Sequence, residues 1–273
     1  MKTFTGRRCR NIAILCSLAI IIVLAQFIMQ SALLGTSFIT GWTLTAVIVF
    51  LAAYNLFKRV SFLPIGSSSS WLQLHIYCGL LTGVLILLHL DFRLPNGMFE
   101  SILALVYFSV FLSGILGLLM SRLFPRRLSM RGEEVIFERI PIFQRQLREE
   151  VEKLVFECLS ETETTAVPDF YLTHLKPYFE RSRNFISHLM QSERPRQSLL
   201  LSIRELDAFL NETERETMKK IAQHVITKDD LDHQYTLQAM LKYWLFLHVP
   251  LTYGLLILIA FHAVVAHAFS GGV

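Results

Sequence analysis

Four histidines stand inside long apolar runs, and they repeat. Trp71-Leu72-Gln73-Leu74-His75 is followed, after thirteen mostly apolar residues, by His89, and Trp244-Leu245-Phe246-Leu247-His248 is followed at the same interval by His262. Imidazole ligates zinc, copper and iron. An ionisable side chain held in hydrocarbon is costly and marks function. On a helix, a fourteen-residue step rises about 21 Å and stops about 40° short of four turns. The two histidines of each copy therefore share one face at two depths. Two such helices side by side would oppose His75 to His248 and His89 to His262, and helix bundles build cofactor sites from facing helices in this way. Two imidazoles closing on a planar macrocycle make its iron six-coordinate, which suits electron transfer better than oxygen binding. The pattern thus points to two non-covalent haem b groups, with His75, His248, His89 and His262 as iron ligands.

Neighbouring residues extend the candidate site. Thr82 and Ile86 fall within about 20° of His75 on the helix, as Leu255 and Ile259 do relative to His248. Gly79 and Gly83 lie on the flank, where a missing side chain would let a flat ring approach. With Thr82 they complete the predicted cofactor-binding set, although glycine also serves plain helix packing in membranes. His267 competes with His262 but lies about 100° off the face of His248. Lys58, Arg59, Arg122, Lys242 and Arg93 can pair with haem carboxylates or with lipid headgroups. The residues leave two other readings open: a proton or metal transporter lined by histidines, and a membrane anchor without redox role. The spans hold no mid-depth Asp or Glu for a proton relay, since Asp91 and Glu100 lie beside a loop.

The elements that must carry these residues are membrane helices. The 273 residues are 53% hydrophobic, and the mean hydropathy is +0.46. Five segments, roughly 12–30, 41–57, 71–90, 98–120 and 244–269, reach the about 20 apolar residues that cross a bilayer. The expected fold is all-α: a five-span polytopic helical bundle, with a mainly helical insert between spans four and five. Residues 1–122 would hold spans one to four, 123–243 the insert, and 244–273 the fifth span and a short tail.

Charge sets the expected orientation. The net charge is +4, but the insert is slightly acidic and the excess of bases sits beside the spans, at Lys2, Arg7, Arg8, Arg10, Lys58, Arg59, Arg122, Arg126 and Arg127. By the positive-inside rule, the N-terminus and the insert are cytoplasmic and the C-terminus is outside. These bases suit an anionic lipid leaflet and not nucleic acid. Spans three and five then run parallel, which puts His75 level with His248 on the inner side and His89 level with His262 on the outer side. The N-terminal apolar stretch is long and lacks a clear cleavage site, so it is expected to remain as a first span.

In the insert, residues 131–142 suggest a short strand, and helices are expected at about 143–160, 169–191, 196–210 and 213–226, with Pro177 kinking or splitting the second. Pro168 and Pro195 fall near helix starts. Ser202 with Glu205, and Thr213 with Glu216, have capping-box spacing. Thr227 with Asp229 and Asp230 resembles a helix start that could run into the fifth span. Asp229, Asp230, Asp232 and His233 could hold a divalent ion, although first-turn acids are the simpler account. His174, His188, His224 and His233 lack ligand spacing and read as surface or core residues. The loop Leu63–Ser70 and Pro95-Asn96-Gly97 read as connections. Cys9, Cys16, Cys78 and Cys158 form no C-x-x-C, which argues against thiolate zinc, iron–sulfur clusters and c-type haem.

With these residues in view, the pattern resembles membrane b-type cytochromes of the ferric reductase-like and cytochrome b classes, which carry two haems between helices bearing paired histidines at this spacing. His75, His89, His248 and His262 occupy the matching positions, and the likeness covers the third to fifth spans. Those reductases usually add a sixth span and a flavin and nicotinamide module. This sequence shows no G-x-G-x-x-G or Walker loop. The resemblance implies an electron-transfer subunit of an oxidoreductase in a bacterial-type inner membrane. It would pass electrons between a cytoplasmic protein or quinone-side partner and an outer-face acceptor, with its oligomeric state open.

Overall fold

A computed structural model describes residues 4–31, 36–59, 68–129, 135–162, 164–181 and 184–270. Lys2, the side chains of Arg7, Arg8, Lys58 and Arg59, most of the 63–70 connection, residues 131–134 and the 271–273 tail lie outside the described residues. Five helices are long and apolar enough to cross a membrane. They are α1 (Phe4–Ser31), α2 (Thr36–Arg59), α3 (Ser68–His89), α4 (Met98–Leu128) and α10 (Glu212–Ser270). A helix satisfies its backbone internally, as hydrocarbon requires. Outward residues stay apolar: Ile20, Ile21 and Phe27 on α1, Leu105 and Leu112 on α4, and Phe246, Ile257 and Val264 on α10 are all exposed. The chain is a multi-pass helical membrane protein, and among the described residues it contains no strand.

It divides into two compact units, Met1–Leu119 with Trp244–Val273, and Met120–Tyr243. In the first, α2 and α3 pack closely and α1 lies against α3, whereas α3 and α10 make few close backbone approaches. The buried centre joins Leu44 and Ile48 of α2, Leu85 and Ile86 of α3, Tyr107 of α4 and Leu255 of α10. Its polar groups are satisfied. The Tyr107 hydroxyl donates to Thr82 Oγ1 (3.0 Å), and Thr82 donates to the Gly79 carbonyl (2.7 Å). The reversal after α3 comes at Asp91 and Phe92, both with positive φ. That is ahead of the expected Pro95-Asn96-Gly97 turn, where the chain is irregular at Pro95 and Asn96 and bends at Gly97.

The regular structure among the described residues of the second unit is helical. The expected strand is instead a 3-10 turn (Phe137–Arg139) leading into α5 (Ile140–Thr162). Val135 explains the difference. Its N–H donates to Gln234 and its carbonyl accepts from Gln238, each at 2.8 Å, so side chains of α10 satisfy this backbone without a partner strand. The single helix expected over 169–191 is broken. It comprises α6 (Ala166–Phe170), a π turn (Tyr171–Leu175), α7 (Lys176–Glu180) and α8 (Phe185–Leu189). Pro177 falls in the first turn of α7, directly after the π turn, where its missing N–H is tolerated. Next comes α9 (Arg194–Asp207), with Pro195 in its first turn.

Three expected helix starts are displaced. Ser202 lies inside α9, and Thr213 and Thr227 lie inside α10. The capping box of α10 is Asn211 with Glu214: Asn211 Oδ1 accepts the Glu214 N–H (2.9 Å) and Glu214 Oε2 accepts the Asn211 N–H (2.8 Å). The helix then runs unbroken through the fifth apolar segment.

Asp229 and Asp232 are therefore mid-helix acids, and both are buried. Lys228 donates to the Arg181 carbonyl (3.0 Å), pairs with Asp232 and stands 4.5 Å above the Tyr178 ring. Gln144 donates to the other Asp232 oxygen (2.7 Å). Asp229 lies 3.8 Å from both His188 Nε2 and Arg196 Nη1. This network ties α5, α7, α8 and α9 to α10. His188 and His233 are core residues, while His174 is exposed.

Breaking a buried pair strands a charge, so Lys228→Ala should cost about 3–5 kcal/mol in equilibrium unfolding of the full chain in detergent. The double change Lys228→Met with Asp232→Leu should cost clearly less; an equal loss would show that the pair does not behave as a coupled buried unit. Burial, then Asp229 and Asp232, push the Tyr178 phenol above its ordinary range. The folded chain keeps this proton where the unfolded chain releases it. The contribution is thus complete below about pH 10 and lost as pH rises beyond it. Tyr178→Phe should flatten the alkaline decline of the unfolding midpoint.

Candidate functional site

The first unit brings His89 and His262 together with ring centres 6.3 Å apart and ring planes at 88°. Two imidazoles bound at about 2 Å to opposite sides of one metal ion, each through one nitrogen, have centres roughly 6 Å apart. Both rings line a cavity of about 440 Å³, within the about 300–1,000 Å³ usual for ligand pockets. Ile86, Tyr107, Leu255 and Ile259 line it as well. The few close backbone approaches between α3 and α10 leave room for it.

Each ring is held by what its helix neighbours allow. His89 Nδ1 lies 3.1 Å from the Ser37 carbonyl and 3.4 Å from Thr40 Oγ1. A carbonyl can only accept, so Nδ1 carries the proton and Nε2 is left with a bare lone pair. This ring reaches α2 because Gly41 has no side chain: a Cβ there would meet His89 Cε1 at 2.9 Å. His262 is stacked on Phe99, with centres 6.3 Å apart and an angle of 22°.

His75 of α3 and His248 of α10 are the other two candidate ligands. His248 Nδ1 is 2.6 Å from Ser113 Oγ, and the Ser113 hydroxyl donates to the Val110 carbonyl (2.8 Å). Since that hydroxyl's one proton serves Val110, Nδ1 is the donor and Nε2 of His248 is again bare. His75 packs on Tyr54 (4.9 Å, 44°), and its buried Nδ1 has no hydrogen-bond partner.

The tryptophans of the repeat part company. Trp71 lies near Phe50 (6.3 Å). Trp244 donates its indole N–H to the Ser113 carbonyl (2.7 Å) and stacks on His248 (5.3 Å, 22°). A side chain at Gly117 would overlap the Trp244 ring.

The remaining predicted residues are distributed as follows. Thr82 is buried and bonded to Tyr107. Gly79 faces open space, and a Cβ on Gly83 would meet Phe111 at 2.8 Å. Thr82, Gly79 and Gly83 do not line the His89–His262 cavity. His267 does line it, packing against Phe38 and Trp42 with Nδ1 2.7 Å from the Ala263 carbonyl. Arg93 lines it too and lies 3.7 Å from Asp91. Lys242 pairs with Glu138 (2.6 Å) in the second unit, which holds the exposed Glu138 carboxyl below its ordinary range. Ser37, Gly41 and Tyr107 had no periodic signal of their own. Ser113, Gly114 and Gly117 carried one in hindsight, as small residues spaced for close helix approach.

The residues fit haem. Such a macrocycle supplies four nitrogens and needs two axial ligands, and two of the four imidazoles here present a bare nitrogen fixed by a bond at the other. Among the described residues no group of three or more His, Cys, Asp or Glu is gathered as a metal site. That includes Asp229, Asp230, Asp232 and His233. The His89–His262 pair offers two imidazoles, fewer ligands than a bare divalent ion normally takes.

Gly117→Ala should lower the thermal midpoint in detergent, because crowding by Trp244 (about 1–3 kcal/mol) outweighs the helix preference for alanine. Gly79→Ala should be neutral or slightly stabilising; equal effects at both positions would refute the assigned packing. Compared with known protein families, curated proteins and solved structures, the chain matches none.

Proposed function

We propose that this chain is an electron-transfer protein of a bacterial-type inner membrane that holds two haem b groups, one between His75 and His248 and one between His89 and His262. The observation that carries the reading is the His89–His262 pair, 6.3 Å between ring centres beside a cavity of about 440 Å³. Bound haem supplies one-electron chemistry, and the protein supplies ligands, orientation and a low-dielectric surround. Ile86, Leu255 and Tyr107 keep water from the space between the two levels. The basic residues beside the spans support a cytoplasmic N-terminus and 123–243 insert and an outer C-terminus. Electrons would pass between a cytoplasmic redox protein or quinone and an acceptor at the outer face, the chain serving as a subunit of an oxidoreductase.

The purified chain should show a reduced-minus-oxidised alpha band and two haems per polypeptide. His75→Ala or His248→Ala should remove one, and His89→Ala or His262→Ala the other. A chain without porphyrin would defeat the proposal in favour of transport or simple anchoring. Loss of the second haem in His267→Ala but not in His262→Ala would reassign that ligand.

A further inference from the structure

The two copies of the tryptophan–histidine signature have different surroundings, and the difference centres on α4. Both polar ends of Ser113 are engaged by the second copy. Its carbonyl accepts from Trp244 Nε1 (2.7 Å), and its hydroxyl oxygen faces His248 Nδ1 (2.6 Å). Gly117 makes room, since a Cβ there would collide with Trp244, whereas one at Gly114 would sit in ordinary contact with His248 Cε1 (3.8 Å). The Val110 carbonyl can accept the Ser113 proton (2.8 Å), which leaves the hydroxyl oxygen to accept from His248 Nδ1. The first copy has no such hydroxyl at its imidazole: His75 Nδ1 is buried with no partner in hydrogen-bond range, and the Leu51 backbone is the polar neighbour of its ring.

We propose that Ser113 is the positioning residue for His248: it fixes the tautomer and ring plane of this ligand, and by accepting the Nδ1 hydrogen bond it makes the imidazole a stronger donor to iron at this level than His75 opposite. The inference rests on the haem reading above and names the residue that would tune one of the two centres. A hydrogen bond at the distal nitrogen raises ligand basicity, and a more basic axial ligand favours the oxidised metal. Ser113 therefore holds the potential of the His75–His248 centre down.

The test is an optical redox titration of the full chain in detergent, with low-spin electron paramagnetic resonance recorded in parallel. In Ser113→Ala the midpoint of the haem that His248→Ala removes should move upward and its resonance should shift, while the other haem keeps both values. Ser113→Thr, which retains the hydroxyl, should restore them. Loss of that one haem in Ser113→Ala with recovery in Ser113→Thr would also support the role. Two unmoved midpoints in a fully loaded Ser113→Ala chain would overturn this inference alone, as would a shift in Ser113→Thr as large as that in Ser113→Ala. Absence of haem from the unsubstituted chain would instead overturn the functional reading beneath it.

Discussion

An imidazole carries two nitrogens, and in hydrocarbon neither can turn to water. That constraint organises the membrane unit. His89 engages the Ser37 carbonyl and His248 the Ser113 hydroxyl, each through Nδ1. The opposite nitrogen of each ring is thereby left with a lone pair and a fixed direction. The surrounding small residues follow from the same need. Gly41 admits the His89 ring against α2, and Gly117 admits Trp244 against α4. A bundle of leucines alone could pack more tightly, but it would not hold polar rings at set places.

The helical second unit meets a related problem by other means. Lys228, Asp232, Asp229 and Arg196 are taken from water together, so that charges compensate one another inside the fold. Hydrogen bonds from Lys228 to the Arg181 carbonyl and from Gln144 to Asp232 occupy remaining valences. Such clusters add little net stability compared with apolar packing. Their geometry is directional, however, and it ties four short helices to one long one.

The spans were legible because twenty apolar residues in succession have few alternative fates, and the histidine register was legible because a helix has one period. What stayed hidden depends on contacts between distant segments. Val135 looked like strand because its partners, Gln234 and Gln238, are about a hundred positions away. Thr227, Asp229 and Asp230 looked like a helix start because acids favour first turns, yet all three lie inside α10, where Asp229 is buried against His188 and Arg196. The capping box was real but belongs to Asn211 and Glu214, where glutamate also follows three residues after a capping side chain. Of the glycines chosen by helical angle, Gly79 faces open space and Gly83 meets the Phe111 ring, whereas Gly41 and Gly117 are pressed by His89 and Trp244. Angle on one helix says nothing about which face a second helix will approach.

The tautomers of His89 and His248 bear on how the protein is assembled. A cysteine must shed a proton before it can grip a metal, so its loading follows the acidity of the medium. On the proposed haem reading, the nitrogens that would ligate iron already lack a proton, so loading through them would release no acid and would not follow ambient pH.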